Sequence, residues 1–443
     1  SANLAPICDF RSHATWVGWG GQAGREATGD GARSAPGVGP TGSNGADGGC
    51  DLAQSCEFPI DLASTGQADG FVVSDGAYAR NVTANQPERP VLAVVGPTGL
   101  VGQAVIDVLA TRADAWDDVR LFGSDRSVGR RMLFGVDELE VEPLDSESFA
   151  GVDVAIFATP ADVSAKWAPF ATASDCLVVD TSAAFRDDDD VPLVVPEVNA
   201  AAAFEHPRGI VAMPSGPAIV MLPVLATLHE HWSLTHVTAT SMQAVTGAGK
   251  RGAERLYEEV SALTGHPRIG QMPGDVRRYV ADLPDDSPFP APIVSNVVPW
   301  VGEHVGGGWS SEENDIAHEL RDVLALPQLR VAVTCVQVPI VTTHMSTLHV
   351  SFDKKVKPDD ARRAIVEGAN GAIVMPDENG TDWPTPADAV GTDPVWVGRV
   401  RQVESNPHTL DFIVCGDNIR KGAALNALQI AEMLVGVGRY AQA

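Results

Sequence analysis

Positive charge is scarce in this chain: 31 Lys and Arg stand against 58 Asp and Glu in 443 residues, a formal net charge of −27. Nucleic acid and anionic membranes are bound through concentrated cations, so this deficit excludes both as main partners. Aromatic residues are few at 6%, and Trp16, Trp19, Trp300 and Trp309 have no basic residues interleaved, which excludes a base-stacking platform. Cysteine occurs at only six positions (8, 50, 56, 176, 335 and 415), too few for a disulfide framework in so long a chain. The last three lie singly inside apolar runs, as small core residues do. Cys50 and Cys56 are remote from Cys8 and His13 and match no zinc spacing, so no metal is expected. No apolar run reaches the roughly 18 residues that a membrane span needs. The first residues lack the basic-then-apolar order of a secretory signal, internal repeats are absent, and a cytoplasmic location is expected.

What is present suits a folded α/β protein of two or three domains, with 44% hydrophobic and 20% charged residues. Residues 1–89 are different. They hold 15 of the 43 glycines among Ala, Ser, Asp and Asn, keep no helical or strand period, and are read as a mostly disordered extension.

From residue 90 the pattern sharpens. Val91–Val95 is a continuous β-branched run, Gly96-Pro-Thr98-Gly99-Leu100-Val101-Gly102 follows at once, and Val105, Ile106 and Leu109 then repeat at helical spacing. Strand, glycine-rich turn and helix open a doubly wound parallel sheet, with the pyrophosphate of a dinucleotide on the helix N-terminus. Further strands are expected at 119–122, 152–158 and 176–180. At the end of the second strand, Arg126 and Ser127 suit the 2′-phosphate of NADP, while Asp125 would instead accept the ribose hydroxyl of NAD; the reading favours NADP. After residue 218, longer strands at 237–244, 331–338 and 348–352 alternate with helices near 219–231, 250–264 and 311–325. That pattern predicts a second, α+β domain on a sheet with one exposed face. One apolar stripe (Ala424, Leu428, Ala431, Val435) puts a helix in 418–440.

Several ordered blocks now coincide: Val91–Gly102, Ser124–Gly129, Asp180–Arg186, Val191–Asn199, Ser241–Gly249, Thr334–Pro339 with His344, and Gly416–Asn426. Over about residues 90–440 the chain resembles the aspartate-semialdehyde dehydrogenase family. The resemblance implies a Rossmann domain at 90–218, an α+β dimerisation and substrate domain at 219–415, and a C-terminal helix at 416–443 returning to the first domain. It further implies a homodimer acting on a small-molecule ligand. It also implies NADPH-linked reduction of β-aspartyl phosphate through a cysteine thioester. Gly96 to Gly102, Arg126, Ser127, Thr246, Gly247 and Asn418 take the cofactor positions.

The same resemblance marks three losses. Pro214-Ser215-Gly216-Pro217-Ala218 aligns with the nucleophile turn, and Gly216 holds the cysteine position. Gln337, seven residues before His344, holds the position of the substrate-binding Arg, and Asp315, 22 residues before Gln337, that of the phosphate-binding Lys. Gln243 (substrate-orienting), His344 (acid/base) and Arg186 (phosphate-holding) match. A thiolate attacks an acyl phosphate and later leaves; Gly216 offers no such atom. Replacing a cation by an amide weakens carboxylate capture, and replacing one by an anion repels phosphate. Ser215 is read as a cap of the following helix with Pro217 in its first turn, and Asp187–Asp190 as a solvated turn. The expectation is a nucleotide-binding, catalytically degenerate paralogue. The alternatives are an active semialdehyde dehydrogenase, a carbonyl reductase using His344 without a thiol, and a non-catalytic regulatory subunit.

Overall fold

The computed structural model describes residues 89–374 and 383–437. The readings of residues 1–88 as disordered and of Cys50 and Cys56 as non-ligating therefore lie outside the described residues.

The first sheet contains β1 (Val91–Val95), β2 (Asp118–Gly123), β3 (Arg131–Phe134), β4 (Asp137–Pro143), β5 (Val154–Phe157), β6 (Leu177–Asp180) and β7 (Ile210–Ala212), in the order β3-β4-β2-β1-β5-β6-β7. All pairs are parallel except the β3–β4 hairpin at one edge. Runs such as Val-Leu-Ala-Val-Val and Val-Ala-Ile-Phe are buried almost throughout because helices cover both faces. The β3–β4 hairpin was not foreseen; β3 is only four residues long and β4 sets single apolar residues between acids, so neither offers the long apolar run of the central strands. Strand order reverses about β1, which pairs β2 on one side and β5 on the other. A ligand crevice is expected beyond the carboxyl end of that strand, where the glycine turn sits.

Two glycines of that turn are required by geometry. Gly96 has φ +82°, and a Cβ there would stand 2.5 Å from the Ala158 carbonyl oxygen. A Cβ on Gly102 would stand 2.2 Å from the Gly96 oxygen, so only glycine lets α1 (Leu100–Ala110) start against its own turn. Helices α2 (Ala161–Thr172) and α3 (Pro196–Asn199) complete this part.

The chain then enters α4 (Gly216–Trp232), which is buried on almost every side and therefore apolar all round rather than amphipathic. It packs against β12 (His344–Phe352) of the second sheet and against α7 (Ser311–Val323) and α8 (Pro358–Gly368). That sheet runs β11 (Arg330–Gln337), β8 (Leu234–Gln243), β12, β15 (Asn406–Gly416), β14 (Val395–Val403), β13 (Ala372–Val374). Burial alternates along β12, so one face meets the core and the other stays open. Register decides the site: Gln337 pairs with Gln243 on the parallel strands β11 and β8, and His344 opens β12 opposite Gly416. The ends of four strands thus deliver Gln243, Gln337, His344 and the Gly416-Asp417-Asn418 turn to one rim. A π-helix (Arg420–Leu425) leads into α10 (Asn426–Leu434), which packs on α1, β5 and β6. Its residues are buried on all sides rather than along the single stripe expected.

The glycine turn gives a paired test. Gly102→Ala forces a backbone clash and should cost about 1–3 kcal/mol or more in urea unfolding. Gly99→Ala, whose Cβ would meet nothing nearer than 3.5 Å, should cost under about 1 kcal/mol. Equal losses would show that the turn is not set by helix–turn packing.

Candidate active site

Two cavities flank the start of α1. The first, about 540 Å³, lies at the crevice of the first sheet and is lined by Gly96, Thr98, Gly99, Ser124, Asp125, Arg126 and Ser127, with Thr159 and Pro160 opposite. The Thr98 and Ser127 hydroxyls are hydrogen-bonded at 3.2 Å, which ties the glycine turn to the end of β2. Arg126 is exposed and has no ion pair among the described residues, so its guanidinium is available to an incoming phosphate. These residues fit a dinucleotide: unobstructed backbone at Gly96 and Gly99, an uncapped N-terminus on an 11-residue helix, and a free guanidinium beside it. Among the other expected cofactor residues, Val101, Thr246, Gly247 and Asn418 line the second cavity, and Leu100 and Gly102 line neither.

The second cavity, about 430 Å³, is lined by Arg186, Ser215, Gly216, Gln243, Gln337, His344 and Asn418 among others. The structure therefore brings together every expected catalytic position except Asp315. Gly216 is the first residue of α4, and His344 faces it: a Cβ built on Gly216 would stand 3.5 Å from Nε2 and 3.4 Å from Cδ2 of His344. That is ordinary van der Waals contact. The imidazole is only 3% exposed, and burial pushes its pKa down to about 3. Its Nδ1 accepts the backbone N–H of Ala244 at 3.1 Å, so Nε2 carries the proton and presents it toward Gly216. Asn418 joins the rim through its Oδ1, which accepts the N–H of Thr343 at 2.7 Å, and through its Nδ2, which donates to the Thr246 hydroxyl at 3.1 Å. Thr343 itself sits at φ +90°, a strained setting for a β-branched residue directly before the histidine.

Helix α7 supplies residues that were missed from the sequence. Its start is fixed by a reciprocal capping box between Ser310 and Glu313. Glu319 accepts the backbone N–H of Ser215 at 2.9 Å and its hydroxyl at 2.5 Å, and lies 3.3 Å from Arg186. Ser215 is thus not the side-chain cap of α4 expected above: it occupies the N-cap position, but its hydroxyl is drawn to a carboxylate that outcompetes the backbone donors of the helix. Arg186 also donates from Nε to the Met213 carbonyl at 2.9 Å. Within Asp187–Asp190, Asp188 pairs with Arg208, so this segment leaves Arg186 to Glu319. Glu312 lines the cavity and accepts from Gln243 Nε2 at 3.1 Å; burial, then the nearby Glu319, raise its pKa to about 7. Gln337 donates from Nε2 to the Gln243 backbone oxygen at 2.8 Å. Asp315 instead lines a small pocket behind Arg186, with Asp187, His318 and Glu319. Burial raises its pKa above the usual carboxylate value. The positions 312, 315 and 319 share one helix face (i, i+3, i+7), a signal legible beforehand, because acids on the buried stripe of an amphipathic helix require a purpose.

No described thiol reaches the position beside His344. Cys176, Cys335 and Cys415 are free and fully buried, and burial raises each thiol pKa, to about 12 for Cys176 and Cys415. Cys335 lies nearest in register, two residues before Gln337, and Gln243 Nε2 donates to its sulfur at 3.6 Å.

Comparison with known proteins agrees with this geometry. Residues 91–206 match the NAD binding domain of semialdehyde dehydrogenases, and residues 225–421 match their dimerisation domain. The aspartate-semialdehyde dehydrogenase of Corynebacterium glutamicum is 41% identical over 352 residues, covering 78% of this chain and 99% of that protein. That of Bacillus subtilis is 35% identical over 347 residues, covering 77% and 96%. Among solved structures, aspartate semialdehyde dehydrogenase II of Vibrio cholerae, complexed with ASA, superposes with a TM-score of 0.71 at 32% identity, covering 78% of this chain and 98% of that one. The architecture is theirs: a parallel, Rossmann-like nicotinamide-cofactor domain joined to a mixed-sheet domain, with no helix among the described residues long and apolar enough to cross a membrane. On these matches, the chain is a member of the aspartate-semialdehyde dehydrogenase family.

Proposed function

We propose that this protein binds NADP as a homodimeric member of its family but does not carry out the thioester chemistry on β-aspartyl phosphate. The observation that carries the reading is the pairing of Gly216 with His344: the imidazole points its proton at a residue without a side chain. An acyl-enzyme needs a nucleophile at that point, and its capture needs cations. Among the described residues that line the cavity there is one Arg and no Lys, and that Arg is already paired with Glu319. Ser215 is no ready substitute, because its hydroxyl is committed to Glu319.

Carbonyl reduction with His344 as the acid is less well supported. A histidine whose pKa is pushed down to about 3 is neutral near pH 7, so it offers a hydrogen bond to a carbonyl oxygen rather than a transferable proton. NADP is preferred to NAD because Arg126 lines the first cavity with no ion pair among the described residues.

Two measurements test this. Incubated with aspartate semialdehyde, phosphate and NADP, the unmodified protein should produce no NADPH above a protein-free blank, while still binding NADPH by fluorescence titration. Turnover near the usual enzyme range of about 1–10³ s⁻¹ would overturn the reading. Gly216→Cys should fold normally, since its new Cβ meets atoms only at 3.4 Å and beyond, yet remain far below that range; full rescue by this one change would show that the cation positions are dispensable. Separately, Arg126→Ala should weaken NADPH binding about tenfold, or about 1.4 kcal/mol, and leave NADH nearly unchanged. Equal effects on the two cofactors would remove the case for NADP.

A further inference from the structure

Glycine at position 216 opens a space beside its Cα that belongs to the second cavity, and three hydrogen-bond donors border it. The first is the Nε2–H of His344. That ring is 3% exposed, its Nδ1 is taken by the Ala244 N–H, and its Nε2 has no partner among the described residues. Nε2 stands 3.5 Å from the point where a Cβ of residue 216 would be, so the donor is aimed at the start of α4. The other two donors are the backbone N–H groups of Gly216 and Ala218. No side chain caps this 17-residue helix, and neither N–H finds an acceptor among the described residues, whereas the next one, from Ile219, reaches the Ser215 oxygen at 3.0 Å. Ser215, which holds the N-cap position, gives its hydroxyl to Glu319 instead. The nearest opposing group is the backbone oxygen of Asn418, 3.7 Å from the same point.

We propose that this space is a binding site for one small monovalent anion, a halide, seated between the His344 ring and the N-terminus of α4. Donors outnumber acceptors there by three to one, and the helix adds the positive end of its dipole. Such surroundings favour a thiolate over a thiol, and a halide has the charge and nearly the size of a thiolate sulfur. His344 donates as a neutral ring, since burial brings its pKa to about 3, so the site needs no titration to form. Larger anions are excluded on two grounds. His344 Cδ2 at 3.4 Å and the Asn418 oxygen crowd the space. A phosphate reaching further would meet Glu312, while the charge of Arg186 is already spent on Glu319. The inference rests on the reading above, in which position 216 supplies no nucleophile: a side chain there would fill the same space.

Bromide and chloride are the probes. Crystals of the full chain soaked in sodium bromide, with diffraction recorded at the bromine absorption edge, should show an anomalous peak within hydrogen-bond distance of His344 Nε2. In solution the chain should broaden the chloride NMR line of sodium chloride; bromide should remove the excess broadening, and methanesulfonate at the same ionic strength should not. The net charge of −27 keeps general accumulation of anions low, so the excess reports specific binding. Gly216→Ala sets a methyl group in the space at ordinary contact distances, 3.4 Å and beyond, and should abolish the excess; His344→Leu should remove most of it. NADPH binding in the first cavity reports that each variant is folded. Broadening that persists in Gly216→Ala, bromide peaks only elsewhere, or water alone beside His344 overturns the proposal. The bromide map of the unmodified protein decides even if a variant fails to fold. Turnover of aspartate semialdehyde would sink the earlier reading instead, and halide occupancy is measured independently of it.

Discussion

The arrangement of the second cavity depends on one buried carboxylate. Glu319, 3% exposed, accepts both the backbone N–H and the hydroxyl of Ser215 and faces the guanidinium of Arg186. These contacts join a helix of the second half of the chain to the first turn of α4, 104 residues earlier in sequence. A buried charge left without its partner is strongly unfavourable, about 3–5 kcal/mol when one member of such a pair is removed. Glu319 and Arg186 therefore hold each other, and through Ser215 they fix where Gly216 stands. The same pairing withdraws the positive charge of Arg186 from the cavity. Structure and electrostatics of the site share a single cause.

Much of the fold was legible because its signals are local. The run Val91–Val95, the three glycines and the apolar period after them lie within about 20 residues, and each has one cheap physical solution. The position of Gly216 at the start of a helix was legible for the same reason. What was not legible is carried by long-range contacts. Ser215 looks like a helix cap on local chemistry; only α7, arriving from far along the chain, supplies the carboxylate that takes its hydroxyl. Glu312 and Glu319 were passed over although their spacing on α7 was legible, and what they hold (Gln243, Ser215 and Arg186) is set only by tertiary contacts. The β3–β4 hairpin escaped notice because β3 is only four residues long and β4 sets single apolar residues between acids, so neither carries the long apolar run that marks a buried strand. The C-terminal segment gave one visible stripe, but a helix buried between α1 and the first sheet needs apolar residues all round, and its π-turn has no sequence signature.

The two cavities carry different chemistry although they share one helix start. Gly99 lines the first and Val101 the second, so the N-terminus of α1 stands between them. The first keeps what phosphate recognition requires: free backbone, a helix dipole and Arg126, which has no ion pair among the described residues. The second has glycine at position 216 and no cation at positions 315 and 337. Loss of the cations at 315 and 337 need not disturb the dinucleotide crevice, because those positions lie on α7 and β11 whereas the crevice is built from the strand ends of the first sheet.

A thiol at position 216 would still meet the wrong face of its neighbour. The Ala244 N–H occupies Nδ1 of His344, so the nitrogen near position 216 already bears a hydrogen. Such an imidazole can stabilise a thiolate by donating to it, but to remove the thiol proton it needs a free lone pair at Nε2. That requires the other tautomer, which breaks the Ala244 bond inside a buried pocket, and the transfer then leaves a charged imidazolium, which burial disfavours strongly enough to bring the pKa to about 3. A fixed negative charge beside the ring would relieve the second penalty, and a bound anionic substrate held by Arg and Lys would help to order it; Gln337 and Asp315 supply neither cation. The absent nucleophile and the absent cations are thus connected through the protonation state of one histidine.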